Sequence, residues 1–163
     1  MHPEYHLGDN VYYVYNQSAA NGFWCAGNTE YSKDKPTVKT IYDPSPAGYT
    51  IPRYNAFLGF RLGTSGSSPN VNGSFAKGYY FWNVYRADSG VSTTGMRTIF
   101  FPASGSRNNT RGALDNVTSL GYYWSAVPDN TYNGRHLRFY SGYVYPQSYD
   151  YRSRGCAVRP SQE

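Results

Sequence analysis

The sequence predicts a single α+β domain made of short strands, frequent turns and two short helices. A length of 163 residues suits one domain, and no linker divides the chain, so residues 1–163 are taken together. Aromatic residues make up 18% and charged residues 15%, with 17 glycines and 10 prolines, which is typical of a turn-rich globular protein. Apolar and polar residues alternate over several short segments, as in half-buried strands.

Two segments have the spacing of short amphipathic helices. In "YNAFLGFRLG", residues 54–63, side chains recur at helical intervals before a glycine that ends the pattern. In "TRGALDNVTSLG", residues 110–121, Leu114, Val117 and Leu120 are three residues apart, and the final glycine is suited to a C-terminal cap. We therefore predict one short helix in each segment.

Short strands and loops account for most of the remaining chain. Aromatic and β-branched residues favour strands. The predicted strands are "VYYVYN" at 11–16, "YYFWNVYRA" at 79–87, "MRTIFFPA" at 96–103 and "CAVRP" at 156–160. Segments 63–74 and 103–112 are rich in Gly, Ser and Asn, which predicts surface loops.

A hairpin near the C-terminus has the clearest alternation. In "RHLRFYSG", Leu137 and Phe139 face one way, while His136, Arg138 and Tyr140 face the other. After the Ser-Gly turn, the strand continues with a valine on the apolar side and a tyrosine on each side of it in sequence. We expect these rings to be exposed together.

Eight tyrosines lie between residues 122 and 151. Tyrosine offers a wide contact area with two side-chain torsions and a hydroxyl that donates or accepts, and such residues dominate binding surfaces. A contiguous exposed aromatic patch usually marks a binding site. The alternative is a tyrosine-rich sheet face without a partner, since tyrosine also favours strands.

No pattern in the sequence predicts an enzyme, a cofactor or a metal. No HExxH, nucleophile elbow or phosphate-binding loop occurs, and His136 is interpreted as an exposed strand residue. The net charge of +5 is scattered, so we predict no nucleic-acid partner. The absence of an 18-residue apolar run predicts no membrane insertion, and "MHPEYHLGDN" does not resemble a signal peptide. Cys25 and Cys156 are either a disulfide or two independent thiols.

Four motifs, in order, resemble a known group of proteins. They are "IYDPSPAGYTIPRYNAF", "FFPASGSRN", "GYYWSA" and "RSRGCAVRP". The set is similar to C-type lectin-like domains in surface proteins of the Bacteroides group and in the variable proteins of diversity-generating retroelements. The resemblance spans roughly residues 41–160, and it departs from the family pattern at Ser45 and Cys156.

The resemblance implies a C-type lectin-like fold, with short helices and a twisted antiparallel sheet, that binds a ligand. The C-terminal part, residues 108–160, is then the variable region. Retroelements of this kind randomise adenines, largely in AAY codons, which never yields Lys, Glu, Gln, Met or Trp. No lysine follows Lys77, and the only later glutamate is Glu163. The candidate ligand-binding positions, all reachable from AAY, are Tyr132, His136, Arg138, Tyr140, Tyr143, Tyr145, Ser148, Tyr149, Asp150, Tyr151 and Arg154.

These observations predict a binding domain on a bacterial cell surface, or on a phage, whose ligand is a protein or a glycan. Trp124 and Gln147 lie outside the reachable set and are interpreted as scaffold, with Trp124 packed beneath the site. No calcium is expected, because acidic residues are not concentrated and only "VPDN" approaches a sugar-binding motif. The alternatives are a fimbrial tip adhesin with a fixed ligand, and an enzyme of the formylglycine-generating type. The oligomeric state is left open.

Overall fold

The computed structural model of the protein describes residues 25–26, 38–62, 70–82, 92, 94–130 and 133–162. Within these residues, the regular elements are short strands and one 3-10 turn, η1, at Tyr54–Phe57. The strands are β1 (Cys25–Ala26), β2 (Val38–Lys39), β3 (Tyr49–Thr50), β4 (Val71–Asn72), β5 (Gly78–Trp82), β6 (Thr98–Pro102), β7 (Ser106–Arg107), β8 (Leu114–Asp115), β9 (Gly121–Pro128), β10 (Asn133–Tyr140), β11 (Tyr143–Tyr151) and β12 (Ser161–Gln162).

The three longest strands form the central antiparallel sheet, in the order β11-β10-β9. A two-residue turn, Ser141 and Gly142, joins β10 to β11. A second antiparallel sheet has the order β4-β5-β6, and the remaining strands form the pairs β1–β2, β3–β12 and β7–β8. The pairing of β12 with β3 brings the end of the described chain next to residues 49–50.

An aromatic core lies between the two larger sheets. Phe81 of β5 and Phe139 of β10 are fully buried, with ring centroids 5.8 Å apart and planes at 72°. Phe60, just after η1, stacks on Phe81 at 4.2 Å, and Phe101 packs edge-on against Tyr123 at 4.9 Å. Buried rings of this kind supply much of the apolar area of a core. They cover one face of the central sheet, which leaves the opposite face for the candidate site.

The predicted α+β, C-type lectin-like fold with short helices was wrong. The described residues are mostly β, in several small antiparallel sheets, and contain no α-helix. The described part of this segment, residues 54–62, forms only η1, since its bonds join residues three apart, such as Leu58 N–H to the Asn55 carbonyl at 3.1 Å. A 3-10 turn repeats every three residues, so it brings Phe57 and Phe60 to the aromatic core without an α-helix.

The helix predicted at 110–121 was also wrong. β8 lies inside this segment and pairs with β7. Asn116 and Thr118 then have left-handed φ angles of 60° and 67°, which an α-helix excludes. Leu114 and Val117 are exposed, so their three-residue spacing does not mark a buried helical face.

Several predicted strands are confirmed. The strand at 96–103 is confirmed as β6, and the C-terminal hairpin as β10 and β11. The strand at 79–87 is confirmed as β5 as far as Trp82, where the described residues stop. The strand predicted at 11–16 lies outside the described residues.

Three features departed from the predicted strands and loops. Segment 156–160 forms an isolated bridge at Ala157 instead of a closing strand. The loops predicted at 63–74 and 103–112 contain β4 and β7. The strand β9 was not predicted because all eight of its residues are buried, and a strand covered on both faces does not alternate.

Among the described residues, no helix has the length and apolarity to cross a membrane.

Candidate ligand-binding face

A β-bulge in the β10–β11 hairpin decides which side chains share a face. Arg138 pairs with Tyr145, whereas His136 pairs with Ser148, so residues 146–147 together oppose a single residue of β10. The extra residue reverses the alternation along β11. Odd-numbered residues before the bulge and even-numbered residues after it therefore lie on the same face. We call it the outer face, because the aromatic core covers the other.

The outer face brings together most of the predicted binding residues. By register, it carries His136, Arg138, Tyr140, Tyr143, Tyr145, Ser148 and Asp150. Arg154 joins them from the segment after β11 through its ion pair with Asp150. Tyr132 lies outside the described residues.

Tyr140, Tyr143 and Tyr145 form one contiguous cluster, which we call the tyrosine face. The rings of Tyr143 and Tyr145 stack with centroids 5.6 Å apart and planes at 7°, and the Tyr140 ring lies 5.4 Å from that of Tyr143. Tyr143 is 55% exposed and Tyr145 is 42% exposed, while Tyr140 is half-buried. The predicted exposure is therefore confirmed for Tyr143 and Tyr145, whereas Tyr140 is only partly exposed.

Two arginines lie beside the tyrosine face and contact Tyr122 of β9. The guanidinium carbons of Arg138 and Arg154 are 5.9 Å and 5.8 Å from the Tyr122 ring centroid. Guanidinium groups at this distance are attracted to the ring face. Burial raises the pKa of Tyr122 although both arginines oppose this rise, so its hydroxyl stays protonated near neutral pH.

The two arginines differ in their partners. Arg154 places its Nε 2.7 Å from Asp150 Oδ2, and its Nη1 donates to Ser106 Oγ at 3.0 Å. Arg138 forms no ion pair with any described residue, and its Nε is buried without a hydrogen-bond partner among them. Arg138 therefore carries a positive charge on the outer face that no carboxylate of the described residues neutralises.

His136 was predicted to be an exposed strand residue, and this was wrong. It lies on the predicted face, but it is only 1% exposed. The Trp124 ring meets it edge-on at 5.4 Å, and the Tyr122 ring lies 5.6 Å away. Burial lowers the pKa of His136 to about 4, so the ring is neutral near pH 7. Neither ring nitrogen has a hydrogen-bond partner in the described part of the chain. His136 thus lies on the outer face as a covered residue, packed against Tyr122 and Trp124 and closed to solvent.

Trp124 itself is 2% exposed, which confirms its predicted burial, but it pairs with His136 and therefore lies on the outer face instead of beneath it. Gln147, the other residue interpreted as scaffold, lies in the bulge, where its carbonyl accepts a hydrogen bond from Arg135 Nη1 at 2.9 Å.

Cys156 is a free, largely buried cysteine, and burial raises the pKa of its thiol. At neutral pH this thiol is protonated and therefore a poor nucleophile.

Tyr149 and Tyr151 do not join the tyrosine face, because the bulge places them on the opposite side of the hairpin. Tyr149 pairs with Arg135, whose guanidinium carbon lies 5.4 Å from the Tyr149 ring centroid. The same guanidinium forms an ion pair with Asp129 and lies 5.9 Å from the ring of Tyr54 in η1. Both β11 tyrosines are exposed, so they form a second aromatic surface beside Arg135.

Sequence reasoning missed two residues that organise these surfaces. The Tyr122 ring contacts the guanidinium groups of Arg138 and Arg154 on the outer face. Arg135 contacts the Tyr149 ring on the second surface. A signal for the bulge was present in the sequence as Pro146, since a proline within a strand often marks an edge or a bulge. No comparable signal pointed to Tyr122, which lies in the fully buried strand β9.

The described residues contain no group of three or more His, Cys, Asp or Glu side chains placed to hold a metal ion.

In comparisons with known proteins, a family described as "Domain of unknown function (DUF8237)" matches residues 75–161. This segment begins just before β5, contains the whole central sheet and covers just over half of the 163 residues. No curated protein and no solved structure matches the chain. The chain therefore belongs to the DUF8237 family.

Proposed function

We propose that this protein is a ligand-binding domain, displayed on a bacterial cell surface or on a phage particle, that binds a protein or a glycan through the tyrosine face. The observation that carries the proposal is the parallel stack of Tyr143 and Tyr145, both of which remain largely open to solvent. Their neighbour Arg138 adds a donor fork suited to recognition. Aromatic rings held in this way present a wide, rigid surface at low conformational cost.

Burial of the stacked rings gives a partner a sizeable free-energy gain. A tyrosine side chain buries about 150–250 Å² when it is covered fully. About half of that area is still open on Tyr143 and Tyr145. At about 25 cal/mol per Å², covering the exposed half of each ring contributes roughly 2 kcal/mol before the costs of association.

The direct test replaces all three residues of the tyrosine face with alanine and compares binding with stability. Wild-type protein is screened against a glycan array and against intact bacterial cells, and the bound target is then offered to the variant. We expect binding to fall at least tenfold, while the melting temperature stays within a few degrees because the rings are not in the core. A large loss of stability with unchanged affinity per folded molecule refutes the proposal.

A matched control is available elsewhere on the surface. Tyr42, Tyr49 and Tyr80 are 57%, 44% and 46% exposed and lie outside the central sheet. Their triple replacement with alanine removes the same number of exposed rings, so it should leave binding unchanged. Equal loss of binding in the two triple variants would mean that surface aromaticity in general, and not this face, is responsible.

We further propose that a retroelement diversifies the site. The absence of lysine after Lys77 and the reachable identities of the candidate positions support it. Trp124, which is buried, and Gln147, which is half-buried, lie outside the reachable set, and the side chains of both have structural contacts. Genome sequencing provides the test: we expect a nearby reverse transcriptase and a near-repeat of the coding segment for residues 108–160. Their absence favours the second candidate, a fimbrial tip adhesin with the same face and a fixed ligand.

We propose no catalytic role for this chain. An enzyme of the formylglycine-generating type needs reactive cysteines, whereas burial keeps Cys156 in its protonated form. Incubation with a cysteine-containing peptide should therefore give no turnover. Turnover that disappears in Cys156→Ser would overturn this conclusion.

A further inference from the structure

We propose that the ligand of the tyrosine face carries a carboxylate group, and that Arg138 binds this group. The inference rests on the proposed function, because it names the chemistry that the same face recognises. Three features of the structure lead to it: the unpaired charge of Arg138, the cleft in which Arg138 lies, and the rings that border that cleft.

Arg138 differs from the two neighbouring arginines, Arg135 and Arg154, in having no carboxylate partner among the described residues. Arg135 is paired with Asp129, and Arg154 is paired with Asp150. The guanidinium of Arg138 contacts the Tyr122 ring and forms no ion pair with a carboxylate of the described residues. Its Nε is buried and has no hydrogen-bond partner within that part of the chain, as is also true of the Nε atoms of Arg135 and Arg154, so the missing carboxylate partner is what sets Arg138 apart.

A cleft on the outer face gives a ligand access to Arg138. The cleft has a volume of about 340 Å³ and is lined by Ser119, Leu120, Arg138, Tyr140 and Ser141. Burial and the neighbouring Tyr145 raise the pKa of Tyr140, so its hydroxyl remains a hydrogen-bond donor at neutral pH. The cleft is shallow and largely open to solvent, and its lining combines a cation, hydroxyl groups and an apolar side chain.

The identity of the anion follows from charge and shape. A single unpaired guanidinium balances one negative charge, which favours a carboxylate over a doubly charged phosphate. The planar fork of arginine also matches the two carboxylate oxygens in a bidentate arrangement. Tyr140 lines the cleft and its ring lies 5.4 Å from that of Tyr143, so the part of the ligand attached to the carboxylate meets aromatic rings.

The test uses two matched pairs of small probes, each an acid and its neutral counterpart. Methyl glucuronoside and methyl glucoside represent an acidic sugar. N-acetyltyrosine and its amide represent a peptide carboxylate. Titrations of the full chain are followed by the NMR signal of the Arg138 Nε–H group. We expect at least one acid to bind with a dissociation constant in the millimolar range and at least tenfold more tightly than its neutral partner. The pair that shows this preference identifies the source of the carboxylate.

Two variants make the result specific to Arg138. Arg138→Gln should remove the preference for the acid, and Arg138→Lys should weaken it, because lysine lacks the planar fork. Arg97→Gln loses the same charge at an exposed position outside the central sheet, so the preference should persist. The inference is overturned if neither acid binds, if both neutral probes bind as tightly as the acids, or if Arg138→Gln keeps the preference.

Failure of this inference is distinguishable from failure of the proposed function. If the neutral probes bind equally well and the triple alanine variant of the tyrosine face loses that binding, the face recognises a ligand without an anion. If no probe binds while the tyrosine face is still needed for target binding on cells or glycans, only the role of Arg138 is refuted.

Discussion

Acidification should destabilise this protein between pH 6.5 and pH 4 because of one buried histidine. Burial lowers the pKa of His136 from 6.5 to about 4, while Asp150 opposes the shift and Arg138, Arg154 and Arg135 reinforce it. Within this pH range the unfolded chain binds a proton that the folded protein does not. Stability is therefore complete above about pH 6.5 and falls as the pH is lowered, until the folded histidine itself is protonated.

The size of the effect follows from the shift in pKa. Each pKa unit corresponds to about 1.4 kcal/mol, so the loss of stability by pH 4 amounts to roughly 3 kcal/mol. That loss is a large share of the 5–15 kcal/mol that typically separates folded and unfolded states. It should appear as a clear decrease in the urea midpoint, measured at intervals from pH 7 to pH 4.

His136→Leu provides the matched control, because leucine has a similar volume and no proton to bind. Since neither histidine nitrogen has a hydrogen-bond partner among the described residues, the substitution should be tolerated at pH 7. The variant should lose most of the pH dependence between pH 6.5 and pH 4. If the wild-type stability is flat over this range, or if the variant shows the same decline, then His136 is not buried in its neutral form as we describe.

Two further predictions concern packing and a buried carboxylate. Gly121→Ala should destabilise the fold by about 2 kcal/mol or more in thermal unfolding, because the added Cβ would lie 2.1 Å from the buried Phe139 ring. The control, Gly142→Ala, should be nearly neutral, since the nearest side-chain atom lies 3.9 Å from the added Cβ. Asp43→Ala should cost about 3 kcal/mol in urea unfolding, since it leaves three donors of the 45–51 segment without their acceptor. A cost below about 1 kcal/mol would mean that water replaces this carboxylate.

The sequence predicted which side of the hairpin each residue faces, but not whether that side is covered. Alternation correctly placed Leu137 and Phe139 on the core face. The same alternation placed His136 opposite them and therefore implied exposure. Burial of His136 depends on Tyr122 and Trp124 in the neighbouring strand, and alternation within one strand contains no information about such neighbours.

The bulge explains a second difference. Simple alternation places Tyr149 and Tyr151 with Tyr143 and Tyr145, because all four numbers are odd. One extra residue at Pro146 and Gln147 reverses that order, so the predicted site is divided between two surfaces. Register depends on how two strands pair, and the sequence of one strand fixes it only where a feature such as a proline marks the irregularity.

The predicted helices failed for a different physical reason. An apolar residue at every third position suits a 3-10 turn or a tight loop as well as one side of an α-helix. At 54–63 the chain makes one such turn, and its phenylalanines enter the aromatic core. At 110–121 the left-handed residues and the β7–β8 pairing prevent a helix altogether.

Chemical footprinting of tyrosine rings, with and without a target identified by the binding screen, tests the central claim most directly. Tetranitromethane should modify Tyr143 and Tyr145 in the free protein and leave the buried Tyr79 and Tyr123 unmodified, since the reagent requires access to the ring. Bound target should protect the first two residues and leave exposed Tyr42 reactive. Unreactive Tyr143 and Tyr145 in the free protein, or equal reactivity of both with and without bound target, would contradict the account.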